Sequence, residues 1–293
     1  MPDAAPVQLY SQRGRILLQS EYWANRGCPL EKERNLCTMS GQAERAATTY
    51  PMPKKKDSIP HIICLHGTAC NNQVLENQLR PLTQSWGPKV NLTFIEGHRH
   101  ITNVFHPTAK EIKQVFNTPN HKEYLETHPC DKEAKLYGMF DSGIHNFELK
   151  LKAATDEKGP ADALIGFSQG ALFATLVAAR ALKREDAPSP FKCLVLLNPP
   201  NPASLKERAP DLFTAPIGIP ALICKGATDA VVNCERTWEK GIFDDGPELY
   251  RPIFETTEYT SHPDGHQPMP TAASDAETLV REIKAYIKKY CGP

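Results

Sequence analysis

Short apolar runs alternate with longer amphipathic segments along the chain from about residue 60 onward. The runs are bounded by turn residues, which is typical of buried parallel strands, and they cover 60–65, 90–95, 161–165, 192–198, 220–225 and a more polar 253–260. Apolar residues that recur at spacings of three and four predict the intervening helices, at 74–86, 147–154, about 170–182 and 279–290. Strands alternating with helices predict an α/β fold, in which a mostly parallel sheet carries helices on both faces.

Two stretches interrupt this alternation. Residues 1–57 are mixed in composition and end in a segment rich in Pro and Lys, so we interpret them as an N-terminal extension, or arm, ahead of one domain at 58–293. The extension could cover a site, join two subunits into an oligomer, or pack peripherally on the domain. Residues of about 98–141 are irregular, polar and rich in His and Pro. We predict a lid-like insertion there, with short helices near 108–116 and 121–126, because a binding crevice forms where strands end.

Composition and charge disfavour several function classes. The 34 Lys and Arg residues balance the 34 Asp and Glu residues, and without a basic stripe we expect no nucleic-acid partner. No apolar run has the length of a membrane span, and we see no secretory leader. The nine cysteines are scattered without metal-type pairs, which predicts a reduced, cytoplasmic protein. The histidines between 98 and 128 have no H-E-x-x-H context, so no metal or other cofactor is expected.

The segment Gly166-Phe-Ser-Gln-Gly170 stands between a predicted strand and a predicted helix. In that context G-x-S-x-G forms a sharp turn that exposes the serine hydroxyl above the sheet. Side chains at positions 166 and 170 would collide with this turn, so there is a steric reason for Gly166 and Gly170 to be glycine. The following helix directs its N-terminal N–H groups toward the place where an oxyanion would form. Ser168 is therefore the candidate nucleophile.

A serine hydroxyl needs a base to take its proton, and the base needs a carboxylate to fix its tautomer. In hydrolases with this strand–turn–helix the order along the chain is Ser, acid, His, each in a loop after a strand. Asp229 directly follows the predicted strand 220–225. Its rivals Asp211, Asp244 and Asp245 follow no such strand. Asp229 is therefore the candidate acid.

The candidate base is His266, which lies after the last predicted strand and before the last helix. His262 is its rival, but it is nearer the end of the strand and is followed at once by Pro263. The flexible backbone of Gly265 allows the next residue, His266, to reach the site. If His266 accepts the proton, activity should rise with pH through about 6–7, because the imidazole must be neutral.

Attack on an acyl carbon places negative charge on oxygen, which two preorganised N–H donors can stabilise. The residue after the nucleophile supplies one, here Gln169. The loop after the first strand supplies the other, and we assign it to Thr68, with Ala69 as second choice. His66, in the same loop, is interpreted as a residue that braces the loop and not as a base.

Together, these segments resemble the FSH-type serine hydrolases. The resemblance lies in Leu65-His-Gly67, Gly166-Phe-Ser-Gln-Gly-Ala171, Gly226-x-x-Asp229 and His262-Pro-Asp-Gly-His266, and covers roughly residues 58–290. It implies an α/β-hydrolase fold and activity on carboxylic esters, with fungal relatives that act as thioesterases on polyketide acyl chains. It also implies that nucleophile, acid and base fall on the three residues chosen above. Acyl-protein thioesterases share the Gly-Phe-Ser-Gln-Gly turn and are more distantly similar.

The chain departs from that family's usual pattern at three places. Asp264 stands where a second Gly is usual, Asn198-Pro-Pro-Asn-Pro202 replaces a Ser/Gly-type strand end, and residues 1–57 have no counterpart. The expected function is an esterase or thioesterase that forms an acyl-enzyme on Ser168, with a small-molecule ester or thioester as its substrate. The alternatives are an acyltransferase that uses the same residues and a non-catalytic binding protein on the same scaffold.

Overall fold

The computed structural model describes residues 59–101, 116, 121–125, 140–183, 191–229 and 248–292. The strands of this part of the chain are β1 (His61–Leu65), β2 (Asn91–Phe94), β3 (Arg99–His100), β4 (Lys122–Glu123), β5 (Ala163–Phe167), β6 (Cys193–Leu197), β7 (Ala221–Gly226) and β8 (Thr257–His262). The helices are α1 (Asn72–Gln78), α2 (Arg80–Trp86), α3 (Phe140–Lys158), α4 (Gln169–Leu182), α5 (Ala203–Arg208) and α6 (Ala273–Cys291), and 3₁₀ turns lie at Gly87–Lys89, Pro210–Leu212 and Glu248–Tyr250.

Six of these strands form one sheet in the order β2-β1-β5-β6-β7-β8, and every neighbouring pair is parallel. The predicted parallel α/β sheet is therefore confirmed. From β1 the chain moves outward to β2 and then returns to β5 on the other side of β1. The loops after β1 and β5 consequently part at their carboxyl ends, which is where open α/β sheets form their ligand crevice.

Side chains of successive strand residues alternate between two apolar clusters, one on each face of the sheet. Ile63 and Leu65 pack in a cluster with most of the buried residues of α3 and α4. Ile62 and Cys64 pack in a second cluster with Leu75 of α1 and with most of the buried residues of α2 and α6. This alternation follows from the two-residue period of a strand, and it confirms helices on both faces.

The structure corrects three details of the predicted elements. The helix predicted at 74–86 is two helices, because Pro81 has no N–H to donate to the carbonyl of Asn77. The helix predicted at 147–154 is longer and covers all of α3. The last strand begins at Thr257, since the preceding Phe254 pairs instead with Ile217 in an isolated bridge.

The helix predicted at 121–126 is wrong where the structure describes it. Lys122 and Glu123 form β4, which pairs antiparallel with β3, and the Lys122 N–H donates to the Cys70 carbonyl at 2.8 Å. These hydrogen bonds join the backbone of Lys122 and Glu123 to neighbouring segments, and they override the helix propensity of the local sequence. The predicted extension 1–57 and nearly all of the helix predicted at 108–116 lie outside the described residues.

Candidate active site

Ser168 lies at the sharp turn between β5 and α4. Its backbone has φ 52° and ψ −121°, a region that side-chain-bearing residues rarely occupy and that is retained at functional sites. Its N–H donates to the Leu197 carbonyl at 2.9 Å, and its own carbonyl accepts from the Ala171 N–H at 2.9 Å. Its hydroxyl does not cap α4. The turn is thus held by backbone bonds, and the hydroxyl is left for another partner.

Both glycines of the turn are required by close backbone approach. A Cβ at Gly166 would lie 2.5 Å from the Gly170 carbonyl oxygen and 2.6 Å from the Ala171 Cα. A Cβ at Gly170 would lie 2.6 Å from the His66 carbonyl oxygen. The start of α4 therefore packs directly on the end of β1, and this contact brings the loop after β1 beside Ser168.

The hydroxyl of Ser168 is joined to His266, and His266 is joined to Asp229. The Ser168 Oγ is 2.9 Å from the His266 Nε2, and the His266 Nδ1 is 2.7 Å from the Asp229 Oδ2. Asp229 is fully buried, whereas the His266 side chain is 19% exposed. With its Nδ1–H donated to the carboxylate, the neutral imidazole presents the Nε2 lone pair to the serine hydroxyl. The three residues chosen from the sequence are brought together in the order that serine activation requires.

Two loops carry the acid and the base, and backbone bonds tie them to each other. The Ala227 N–H donates to the His262 carbonyl at 2.8 Å, and the Thr228 N–H donates to the Asp264 carbonyl at 3.2 Å. Asp211, a rival acid, lies exposed in a 3₁₀ turn, and Asp244 and Asp245 lie outside the described residues. The first residues of the loop after β7, which carry Asp229, are thus bonded to the histidine-bearing loop after β8.

His262, the rival base, has a different neighbour. Its Nε2 lies 3.4 Å from the Asn198 Oδ1, and burial lowers the pKa of its imidazole. Its side chain is therefore directed toward the end of β6, and the serine hydroxyl is served by His266.

The two backbone donors assigned from the sequence lie on the two segments that meet at the crevice. Gln169 begins α4, so its N–H has no carbonyl partner within the helix. Thr68 lies in the turn after β1, which is closed by the Cys70 N–H donating to the Gly67 carbonyl at 3.3 Å. Neither N–H donates to an acceptor among the described residues. Their role as oxyanion donors stays a prediction.

The side chain of Gln169 has a structural function that the sequence did not indicate. Its Oε1 accepts from the Tyr124 N–H at 2.9 Å, and its Nε2 donates to the Leu125 carbonyl at 3.0 Å. The Tyr124 hydroxyl donates to the Ile95 carbonyl and accepts from the His66 N–H. Segment 121–125 is thereby clamped to the start of α4 and to the loop after β1.

His66 braces its loop, as expected. Its Nδ1–H donates to the Gly67 carbonyl at 2.7 Å, and its Nε2 accepts from the Gly97 N–H at 3.0 Å. This pairing requires the neutral ring. The ring is fully buried, and burial lowers the pKa of His66 to about 4.

We expect this histidine to make the fold sensitive to acid. Between pH 6.5 and about pH 4, His66 is protonated in the unfolded chain but not in the folded protein. Each unit by which the pH decreases in this range therefore lowers the free energy of unfolding by about 1.4 kcal/mol. Urea unfolding of wild type and His66→Asn at several pH values measures this slope. The slope should be smaller in His66→Asn and unchanged in His145→Asn, which alters an exposed histidine. Equal slopes in all three proteins would contradict the account.

Within the described residues no group of three or more His, Cys, Asp and Glu side chains is arranged to hold a metal ion. In the same part of the chain, no helix combines the length and apolar character needed to span a membrane.

Comparison with known proteins gives the family. The family model described as "Serine hydrolase (FSH1)" matches residues 56–278. The chain belongs to this family of serine hydrolases. The match begins just before β1 and includes Ser168, Asp229 and His266.

Two curated relatives and one solved structure are similar to the chain. "Hydrolase FUB4" of Fusarium oxysporum f. sp. lycopersici is 29% identical over 134 residues, which cover 45% of this chain and 44% of that protein. The chain thus matches less than half the length of that relative. "Esterase GA18864" of Drosophila pseudoobscura pseudoobscura is 23% identical over 250 residues, covering 85% of this chain and 79% of that protein.

The solved structure is that of esterase PE8. It is 17% identical and has a TM-score of 0.51, and the superposition covers 78% of this chain and 93% of that one. At this level of identity the likeness shows the fold alone, and that fold is the α/β-hydrolase fold.

Proposed function

We propose that this protein hydrolyses carboxylic esters or thioesters through an acyl-enzyme formed on Ser168. The observation that carries the proposal is the relay of hydrogen bonds from the Ser168 hydroxyl through His266 to the buried carboxylate of Asp229. Membership of a serine hydrolase family supports it. An activated serine at the carboxyl end of a parallel sheet is suited to acyl transfer.

In the first half of the reaction, the Ser168 Oγ bonds to the acyl carbon while the His266 Nε2 takes the hydroxyl proton. The Asp229 carboxylate stabilises the imidazolium that forms. The carbonyl oxygen becomes an oxyanion, and the N–H groups of Thr68 and Gln169 donate to it, each stabilising the transition state by about 3 kcal/mol. His266 then gives the proton to the leaving alcohol or thiol as the tetrahedral intermediate collapses.

In the second half, water replaces the leaving group. The neutral His266 takes a proton from water as the water oxygen bonds to the acyl carbon, and the proton then passes to the Ser168 Oγ as the acid leaves. The same N–H groups serve the second oxyanion. On sequence grounds, the acyl pocket is expected to be lined by the insertion predicted at about 98–141 and by the loop at 199–219, each of which follows a strand of the sheet.

The location and partners are proposed on sequence grounds. Scattered cysteines without metal-type pairs support a reducing, cytoplasmic location, and the balanced charge favours a small-molecule partner over nucleic acid. Association through residues 1–57 stays a prediction.

Turnover of p-nitrophenyl acetate, p-nitrophenyl octanoate and an octanoyl thioester tests the proposed function. Wild type is expected to hydrolyse at least one of them at a rate proportional to enzyme concentration. The preferred acyl chain length then indicates the size of the acyl pocket. His266→Gln keeps a polar side chain but supplies no base, so kcat should fall by about 10³-fold or more, while His145→Gln should leave it unchanged. The proposal would be contradicted if folded wild type turned over none of the three substrates. It would also be contradicted if His266→Gln had the same turnover as wild type.

A further inference from the structure

Asn198 occupies a buried position at the carboxyl end of the sheet. It directly follows β6, the strand that lies between β5 and β7, and its side chain is fully buried. Its backbone has φ 45°, a left-handed conformation that Asn tolerates better than most residues. The backbone geometry explains why a small polar residue can stand here, but it does not explain where the amide is directed.

The amide bridges the two loops that carry Asp229 and His266. Its Nδ2 donates to the Asp229 Oδ2 at 2.7 Å and lies 3.1 Å from the carbonyl oxygen of Gly265, the residue before His266. Its Oδ1 faces the His262 Nε2 at 3.4 Å. Two oxygens on one side and a ring nitrogen on the other fix the orientation of the amide, so the nitrogen must face the carboxylate.

We propose that Asn198 is a positioning residue for the Asp229–His266 pair. The proposal rests on the proposed function, since it assigns Asn198 a role in the same reaction. The Asp229 Oδ2 accepts at 2.7 Å both from the Asn198 amide and from the His266 Nδ1. Two donors at one oxygen hold the carboxylate in place relative to the imidazole.

The energetic reason lies in the burial of Asp229. A carboxylate without solvent contact is stabilised by the donors around it, and a hydrogen bond to a charged acceptor is among the strong ones. Because the Asn198 amide is neutral, it supports the carboxylate without competing with His266 for the role of counter-ion. A Cβ at Gly226 would lie 3.0 Å from the Asn198 Nδ2 and 2.5 Å from the Asp264 carbonyl oxygen, so both loops are packed closely around the amide.

Two substitutions at this position separate a positioning role from a packing role. Asn198→Asp keeps the shape and tolerates the same backbone conformation, but it replaces the donor with a second carboxylate oxygen facing Asp229. Asn198→Gly accepts the backbone conformation without strain and removes the donor without adding charge. Asn201→Asp, three residues along the same loop, is the matched control, because the Asn201 Oδ1 that accepts from the Ala203 N–H has an equivalent in Asp.

We expect kcat for Asn198→Asp to fall by about 10- to 100-fold with KM changed by less than about two-fold, since the buried Asp229 carboxylate loses the amide donor at Oδ2. Asn198→Gly should lower kcat with an equally small change in KM. Asn201→Asp should leave both unchanged.

Active-site titration with a fluorophosphonate normalises each kcat to folded, reactive enzyme. If kcat per labelled site equals that of wild type in both Asn198→Asp and Asn198→Gly, the amide has only a packing role and the proposal is overturned. Failure of the proposed function is distinguishable, because wild type itself would then show neither turnover nor labelling. In that case the proton NMR signal of the His266 Nδ1–H decides: a signal that Asn198→Gly shifts or broadens supports positioning, and an unchanged signal overturns it.

Discussion

Replacing Ser168 by alanine is expected to lower kcat for ester hydrolysis by about 10⁶-fold, so that the remaining turnover cannot be distinguished from spontaneous hydrolysis of the ester. The hydroxyl forms the acyl-enzyme, and neither His266 nor the oxyanion donors can supply a second nucleophile at the same position. The fold should persist, because Ser168 is held by backbone bonds to Leu197 and Ala171 and its side chain caps no helix.

Purified Ser168→Ala should therefore match wild type in circular dichroism and thermal unfolding while its turnover is lost. Ser85→Ala is the control, since the Ser85 hydroxyl donates only to the Leu82 carbonyl within α2 and its loss should leave turnover unchanged. Retention of more than about one thousandth of wild-type kcat in Ser168→Ala would mean that another group performs the attack.

Replacing Asp229 by asparagine is expected to lower kcat by about 10⁴-fold. The change keeps the size of the side chain, but it removes the charge that stabilises the imidazolium. It also allows an amide N–H to face the His266 Nδ1, and the imidazole would then carry its proton on Nε2 and could not accept the proton of Ser168. The distance of 2.7 Å between Asp229 and His266 makes the tautomer directly dependent on this residue.

The measurement is steady-state hydrolysis of the best p-nitrophenyl ester, with active sites counted by fluorophosphonate labelling after long incubation. Asp211→Asn is the matched control, because Asp211 is exposed in a 3₁₀ turn and its substitution should change kcat by less than about two-fold. A loss of only a few-fold in Asp229→Asn would assign the role of the acid to another carboxylate.

The sheet and the candidate site were accessible from the sequence because each depends on local rules. Buried parallel strands read as continuous apolar runs, so β1, β5, β6 and β7 lie within about one to two residues of the predicted bounds. The glycines at 166 and 170 mark a turn in which a Cβ would collide with backbone. The order of the nucleophile, acid and base follows from the positions of their loops after β5, β7 and β8.

The supporting residues were not accessible in this way, because their partners are distant in the sequence. The amide of Asn198 meets Asp229 across 31 positions, and the side chain of Gln169 meets Tyr124 across 45. Neither pairing leaves a periodic or local signal. The same reason explains the wrong helix at 121–126, where bonds to Gln169 and Cys70 determine the backbone conformation.

The central claim is that Ser168 is the nucleophile, and intact-protein mass spectrometry after treatment with a fluorophosphonate tests it most directly. We predict that wild type gains the mass of one adduct, that peptide mapping places the adduct on Ser168, and that Ser168→Ala gains none. A folded wild type that gains no adduct, or a Ser168→Ala protein that gains the same one, would contradict the account.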